Sequence, residues 1–515
     1  MGFWPSLRRV PMKKSFVALT LFICLPVILG SSLAAWGQAG FNDERVMLQG
    51  FYWESYRHGH PDQFPQFGAK KWYVIVNEQA GKIREGHFDL IWLPPPSYAG
   101  ELSAGYNPKE YFNLNNSYGS FEQHRAMVRA LLQNGVEPIA DIVISHRDGL
   151  RQWADFKNPD WGTWAITPDD EAFTNPASEV YNTPMEQRGA PKEHPEYTPQ
   201  GGTTYAYGSF RDLDHTNPRV RRDMMRYLLQ LKSLGYLGWR YDMVHVYHAR
   251  WVAQYNRASR PTFSVGEYDW DKQGEQRGWV WYTATTSGDL RTASDVFDFT
   301  TFFTLKANKG NYKAWYGFGL GLGLVGDTTD NLPWKNRAVT FVENQDTGYR
   351  TYEDGTPEKD HDSDSFANNW EVEQAYTYIL THPGVPCVFW KHYFNWGAGL
   401  QNKIKALINA RKVAGVDAGS LLYLQDNARE KGIYAAMVQG KRGQLYVRIG
   451  GDDSVWQPSF ANYRDYREYA QGNGWKVWVA IPGNPEVQQA PLHKPLPVLH
   501  YRDPKKIEIP KAWLQ

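Results

Sequence analysis

The stretch Pro138-Ile139-Ala140-Asp141-Ile142-Val143-Ile144-Ser145-His146 decides the fold. It is apolar and rich in β-branched residues almost throughout, as a strand buried on both faces of a parallel sheet must be. Yet it carries an aspartate inside the run and ends on an imidazole rather than on turn residues. Seven more runs of this kind lie along the chain, at residues 46–51, 88–93, 238–242, 262–267, 296–299, 338–343 and 385–390. Pro386 is tolerable in the last of them because it stands at the strand's start. Helix-like segments lie between the runs. Residues 121–133 place Met127, Val128, Leu131 and Leu132 on one face, and Gly135 ends the helix. Asn217 followed by Pro218 reads as an N-cap and a first helical residue. Eight strands alternating with helices over roughly 350 residues predict an α/β fold, a (β/α)8 TIM barrel. A doubly wound open sheet is the alternative, but no glycine-rich dinucleotide turn supports it.

The barrel is expected over residues 40–146 and 212–415. Residues 147–211 are too long for a loop and carry Trp153, Phe156, Trp161, Trp164, Tyr181, Tyr197, Tyr205 and Tyr207. They are expected to form a small inserted domain after the third strand. Residues 416–515 change texture, and runs at 432–438, 444–449 and 475–480 predict a C-terminal antiparallel β domain. Residues 1–39 hold Arg8, Arg9, Lys13 and Lys14 with no acidic residue, then an apolar run at 16–30 and the small-x-small sites Ser32-Leu33-Ala34 and Gly37-Gln38-Ala39. That is the layout of a secretory signal peptide, and it predicts a secreted or periplasmic protein. A membrane anchor is the alternative, although the run falls short of the ~20 residues a span needs. With Cys24 inside this segment, Cys387 is left without a partner and is expected to be a buried small hydrophobe.

Lys and Arg number 56 against 55 Asp and Glu, a formal charge of +1, which excludes a strongly basic nucleic-acid binder and an acidic disordered chain. Aromatic residues make up 15% of the chain, with 22 Trp, more than a core requires. Exposed rings are platforms for flat ligands such as sugars. A monomer is the default expectation, with no membrane contact after signal cleavage.

Polar residues collect at the ends of the predicted strands: Asp141 and His146 on the third, Arg240 and Asp242 on the fourth, Glu267 on the fifth, and Glu343, Asn344 and Asp346 after the seventh. In a barrel these ends converge on one cavity. Three carboxylates and an arginine in one cleft suit glycosidic bond cleavage, which needs one acid for the leaving oxygen and one carboxylate across the sugar ring. Like charges raise one carboxyl pKa so that it stays protonated, and an arginine keeps its neighbour ionised. A salt-bridge network without chemistry is the other reading of the same residues.

The strand ends resemble the four sequence signatures of the α-amylase family of glycoside hydrolases. Asp141-Ile-Val-Ile-Ser-His146-Arg is similar to the first, Gly238-Trp-Arg240-Tyr-Asp242 to the second, Val265-Gly-Glu267 to the third and Phe341-Val-Glu-Asn-Gln-Asp346 to the fourth. The likeness runs from Gln49-Gly-Phe-Tyr-Trp-Glu-Ser into the C-terminal β domain. Asp212-Leu-Asp-His-Thr-Asn and Ala375-Tyr-Thr-Tyr-Ile-Leu-Thr-His-Pro-Gly-Val-Pro point to plant-type and maltotetraose-forming members. The resemblance implies Asp242 as nucleophile, Glu267 as general acid/base and Asp346 as the group that binds sugar hydroxyls and stabilises the transition state. It implies Arg240 as the residue that orients Asp242, and His146 and Tyr106 as contacts to the same sugar. It implies a retaining hydrolase of starch or maltooligosaccharides, an α-glucan being the partner. A sister transglycosylase uses the same carboxylates, and a non-catalytic glycan-binding relative is the remaining alternative.

Two departures stand out. Gln345 occupies the position where the fourth signature usually has His; it can bond a sugar hydroxyl but cannot carry charge. Ser145 stands where the first signature usually has Asn, in the family a ligand of a structural calcium. The resemblance implies Asp212 and the Val246 carbonyl as further ligands, and serine is a shorter reach for a hard cation. His245 falls where relatives place a Lys or Arg touching the leaving-side sugar. With His248 it has a metal-like spacing but no third ligand in pattern.

Overall fold

The structure, a computed structural model, describes residues 41–514 apart from 194–209, 270–272, 321–322, 326–331, 352–356, 359–365, 367, 460–465 and 482–489. The predicted signal segment, and Tyr197, Tyr205 and Tyr207, lie outside the described residues. Eight parallel strands close into a barrel: β1 Met47–Gln49, β2 Leu90–Leu93, β3 Glu137–Ile142, β4 Gly238–Tyr241, β5 Phe263–Gly266, β6 Asp295–Phe297, β7 Ala338–Phe341 and β8 Val385–Phe389. β8 pairs with β1, Met47 opposite Cys387, which completes the ring. A helix follows each strand: α1 Trp72–Glu85, α2 Phe121–Gln133, α3 Pro218–Leu234, α4 Ala249–Ser259, α5 Gln273–Tyr282, α6 Phe299–Ala307, α7 Asn369–Thr381 and α8 Ala398–Ala414. This is the (β/α)8 barrel that the alternating apolar runs predict.

Local chemistry explains the helix starts. Ser120 accepts the Gln123 N–H at 3.3 Å while the Gln123 amide oxygen accepts the Ser120 N–H at 2.9 Å, a reciprocal cap on α2. Asn217 accepts the Arg219 N–H at 3.0 Å ahead of Pro218. Cys387 is buried in the barrel wall, and burial pushes its thiol up, out of reactive range.

The long excursion after β3 starts and ends on one short ladder, His146 opposite Asp212 and Arg147 opposite Arg211. Its described part, before residue 194, is built of short turns around Phe156, Trp161, Ile166 and Phe173, all buried. The Arg147 guanidinium lies 4.7 Å from the Phe156 ring and 4.8 Å from that of Trp161. After α8, five antiparallel strands form a sheet: β9 Leu421–Leu424, β10 Tyr434–Gln439, β11 Gln444–Ile449, β12 Tyr466–Gly472 and β13 Trp475–Ala480, in the order β9-β10-β11-β13-β12. It packs on α7 and α8, and the Trp475 indole donates to Glu373 at 3.1 Å. Among the described residues no helix is long and apolar enough to cross a membrane.

Candidate active site

The strand ends do converge. The parallel ladder continues one residue beyond β4 and β5: Asp242 N–H donates to the Ile142 carbonyl at 3.1 Å, and Glu267 N–H to that of Tyr241 at 2.9 Å. Both carboxylates are thereby planted on the rim of the barrel. Gly266, just before Glu267, lies against Trp279, and a Cβ there would come within 2.3 Å of that ring. The backbone before the carboxylate can approach so closely only as glycine. Met243 takes a left-handed conformation, φ 42° and ψ 51°, uncommon for a residue with a side chain and found at sites that use the strain. It aims the Met243 N–H at Glu267 Oε2, 3.1 Å away.

Arg240 joins the cluster. Fully buried, it donates from Nη1 to Asp141 Oδ1 at 2.8 Å and to Asp242 Oδ1 at 2.7 Å. Its Nη2 lies 2.6 Å from Glu267 Oε1. Asp141 also accepts from the Trp92 indole and the Tyr106 hydroxyl, each at 3.0 Å. Both of its oxygens are thus engaged within the strand end. Asp242 Oδ2 accepts no hydrogen bond from any described residue.

After β7 the chain turns on Asn344, whose side chain accepts the N–H groups of Asp346 and Thr347 at 2.8 and 3.0 Å. The turn presents Asp346 to the cleft with 45% of its side chain exposed, 3.0 Å from Arg350 Nη2. The cleft has a volume of about 390 Å³ and is lined by Asp242, Glu267 and Asp346 together with Trp53, Tyr106 and Phe299. Trp53 and Tyr106 lie parallel, 3° apart in plane with centroids 6.0 Å apart, and Arg350 covers the Trp53 ring at 4.2 Å. A larger hollow of about 540 Å³ beside α3 and α4 has arginines and tryptophans in its wall but no carboxylate, so the smaller one is the candidate active site.

Burial raises the site's three aspartic carboxyls. Asp242 is pushed well above the carboxylate range, Glu267 and Asp141 adding to the effect and Arg240 opposing it. Asp141 is pushed up to about 6 by burial against Arg240. Asp346 is pushed up to about 7 by burial and then by Glu267, with Arg350 and Arg240 opposing. Four carboxyls face two guanidiniums, so like charge and burial together favour a proton shared within the cluster. His146 is pushed down to about 4 by burial, with the Tyr106 carbonyl opposing and Lys192 adding. It is neutral at working pH.

His146 lines the cleft, but its nitrogens face protein: Nε2 bonds the Tyr106 carbonyl and Nδ1 the Ser145 hydroxyl, each at 2.7 Å. Tyr106 lines the cleft as expected. Gln345 does not reach the cleft wall. It is buried behind Asp346, donating to Asp346 Oδ2 at 2.6 Å and accepting from the Gln49 amide at 2.5 Å. It therefore positions Asp346 instead of meeting sugar. We expect Gln345→Leu, which leaves both partners unbonded, to lower kcat/KM roughly 10–100-fold with little change in melting temperature. A loss below threefold in steady-state kinetics would remove this role. His245 pairs with Asp269 at 2.9 Å; Asp269, not His245, lines the cleft. His248 caps α4, its Nδ1 accepting the Arg250 N–H.

Glu343 is buried, 3.1 Å from His392 and accepting the Phe366 N–H, and does not line the cleft. Of the residues implied for calcium, Val246 is buried in the short turn after β4, and the other two already have polar partners. Ser145 bonds His146, and Asp212 lies 2.7 Å from the Lys192 ammonium. Among the described residues no three His, Cys, Asp or Glu side chains are grouped to hold a metal.

Trp53, Arg350 and Asp269 were not singled out from sequence. Trp53 had a signal, since it lies in the Gln49–Ser55 stretch of the resemblance. Arg350 had none, because only the turn after β7 brings it back to Asp346.

Comparison with known proteins agrees with this geometry. Residues 78–275 match the family described as "Alpha amylase, catalytic domain", and residues 414–479 match "Alpha-amylase C-terminal beta-sheet domain". The chain is 29% identical over 449 residues to "Probable alpha-amylase 2" of Arabidopsis thaliana, covering 84% of this chain and 93% of the relative. It is 32% identical over 148 residues to the "Alpha-amylase type B isozyme" of Hordeum vulgare, 29% of this chain and 83% of that protein. It is 29% identical to the "Glucan 1,4-alpha-maltotetraohydrolase" of Stutzerimonas stutzeri, over 79% of this chain and 68% of the relative. In three dimensions the crystal structure of an α-amylase from Geobacillus thermoleovorans, complexed with acarbose, superposes with a TM-score of 0.58 at 13% identity, covering 87% of this chain and 100% of that one. That likeness shows the fold. Barrel, carboxylate cluster, C-terminal sheet and sequence relatives lead to one assignment: the chain belongs to the α-amylase family of glycoside hydrolases.

Proposed function

We propose that the protein is an exported α-amylase that hydrolyses α-1,4-glucosidic bonds of starch or maltooligosaccharides with retention of anomeric configuration. The observation that carries this reading is the grip of Arg240. One guanidinium holds Asp242 Oδ1 and Glu267 Oε1, while Asp242 Oδ2 accepts no hydrogen bond from a described residue beside the cleft. Two carboxyls bridged by one guanidinium favour the short spacing of about 5 Å that retaining enzymes use, rather than the wider spacing that admits a water.

In the first step Asp242 Oδ2 attacks the anomeric carbon as Glu267 gives its proton to the departing glycosidic oxygen. The glycosyl unit is then an ester on Asp242. In the second step the Glu267 carboxylate takes a proton from water, whose oxygen attacks the same carbon and releases Asp242. Asp346, open to the cleft, binds sugar hydroxyls and faces the oxocarbenium-like charge. Trp53 and Tyr106 offer parallel rings for sugar faces. Export rests on the basic-apolar-small order of residues 1–39.

Proton NMR of maltooligosaccharide digestion tests this reading. The first reducing ends released are expected as the α-anomer, with β appearing only by mutarotation. Initial β-anomer would overturn the double displacement. Longer oligosaccharides in place of hydrolysis products would assign the site to glycosyl transfer.

A further inference from the structure

The resemblance implies a calcium ion at the seam where the inserted segment returns to the barrel. The oxygens at that seam do not fit a hard divalent cation, which takes six to eight oxygen ligands. Most are already committed. The Ser145 hydroxyl bonds His146 Nδ1 at 2.7 Å, and the Ser145 carbonyl accepts the Leu213 N–H at 3.2 Å. The Ile144 carbonyl faces His215 Nε2 at 2.8 Å, and the Asp212 carbonyl accepts the Thr167 N–H at 2.9 Å.

A cation is nevertheless present. Lys192 reaches in from the inserted segment, and its ammonium lies 2.7 Å from Asp212 Oδ1, the two side chains 5% and 1% exposed. The backbone that carries it is fastened on both sides. Gly189 N–H donates to the Ile166 carbonyl at 2.7 Å, and Ala190 N–H to the Asp214 carboxylate at 2.9 Å. Glu193 pairs with the Arg250 guanidinium on α4. A lysine on a solvated loop has no need of such anchoring. Asp212 in turn is the ladder partner of His146, which lines the cleft.

We propose that Lys192 is the built-in cation of this seam. Its ammonium neutralises the buried Asp212, fastens the inserted segment to the barrel and, through the Asp212–His146 pairing, holds His146 at the cleft, so the protein needs no calcium to fold or act. A bound ion supports a fold only as far as its free concentration allows. A lysine in the chain is always present. Removing one member of a buried pair leaves the other charge uncompensated, which is costly, whereas removing both is far less so.

The experiment compares the full chain, Lys192→Met and Lys192→Met/Asp212→Asn by calorimetry and by steady-state kinetics, each after exhaustive chelation and again in millimolar calcium. Wild type is expected to melt at the same temperature, within about 1 °C, in both conditions. Lys192→Met is expected to melt roughly 4 °C or more lower, and the double variant to recover at least half of that loss. KM is expected to rise severalfold in Lys192→Met while kcat changes less, because His146 loses its support. Calcium that restores Lys192→Met but leaves wild type unchanged supports the proposal, since a bare Asp212 then takes the ion that the lysine excludes. A wild type that loses stability on chelation and regains it with calcium overturns it, as does a Lys192→Met that melts like wild type. Should the single variant not fold, the wild-type pair of measurements and the double variant still decide. The melting readout is independent of the activity proposed above, so the two readings fail separately.

Discussion

Asp242→Asn is expected to lower kcat on soluble starch by about 10⁴-fold or more while leaving the melting temperature unchanged or slightly raised. The two halves of this result share one cause. Asp242 is buried beside Glu267 and Asp141, which push its carboxyl well above the usual range, and the Arg240 guanidinium opposes them. Ionised Asp242 therefore strains the site. Asparagine keeps an oxygen for Arg240 Nη1 at the Oδ1 position and removes the charge, so the fold loses little. It also removes the nucleophile, because an amide nitrogen or neutral carbonyl cannot form the glycosyl ester. Initial rates against starch together with differential scanning calorimetry make the comparison. Residual activity above a few per cent would show that another group attacks the sugar. A fall in melting temperature of many degrees would show that Asp242 is part of a structural ion network instead.

Much of this was legible from sequence, for a physical reason. Strands of a closed parallel barrel are covered on both faces, so they appear as apolar runs, and all eight runs found are strands. Most were read too long at their C-terminal ends. Asp242, Glu267 and Glu343 lie one or two residues beyond the last strand residue, where the side chains turn to the cleft or to a buried bond. His146 was read as the tail of β3, but three residues outside any strand intervene, and it pairs with Asp212 in a separate ladder. Two C-terminal strands went unread. β12, Tyr-Arg-Glu-Tyr-Ala-Gln-Gly, is a polar edge strand, and β9 alternates between exposed and half-buried positions. β12 lacks the continuous apolar run that marked the others, while β9, Leu-Leu-Tyr-Leu, is apolar but only four residues long and stands at the edge of its sheet. The carboxylates that line the cleft were legible because charge at the end of an apolar strand is anomalous. Lys192 was not, because a lysine in a loop gives no sign that it is buried against an aspartate twenty residues later. Gln345 was read as a sugar contact because side-chain direction in a turn cannot be inferred from its neighbours, and the turn on Asn344 sends it inward to Gln49.

Arg240→Lys separates the roles of charge and geometry at the centre of the site. A lysine keeps one positive charge but has a single nitrogen, which cannot reach Asp141, Asp242 and Glu267 as the guanidinium fork does. We expect kcat to fall by about 10²–10³-fold, the cost of losing a preorganised donor at the reacting groups. The pH profile carries the sharper test. Asp242 and Asp346 act ionised, and burial places both above the ordinary carboxylate range, Asp346 at about 7. The open side of Asp346 admits water and moderates that shift, so in wild type the acid limb of kcat/KM is expected roughly between pH 5 and 7, well above 4. Arg240 opposes the rise at both carboxyls. Weakening its hold raises their pKa further, so the acid limb must move to higher pH, and the range over which both are ionised narrows from below. His146, pushed down to about 4, stays neutral throughout and does not contribute a limb of its own. A variant whose acid limb stays in place while kcat falls would mean that Arg240 only positions Asp242. A limb that moves to lower pH would contradict the assignment of Arg240 as the charge that holds these carboxylates ionised.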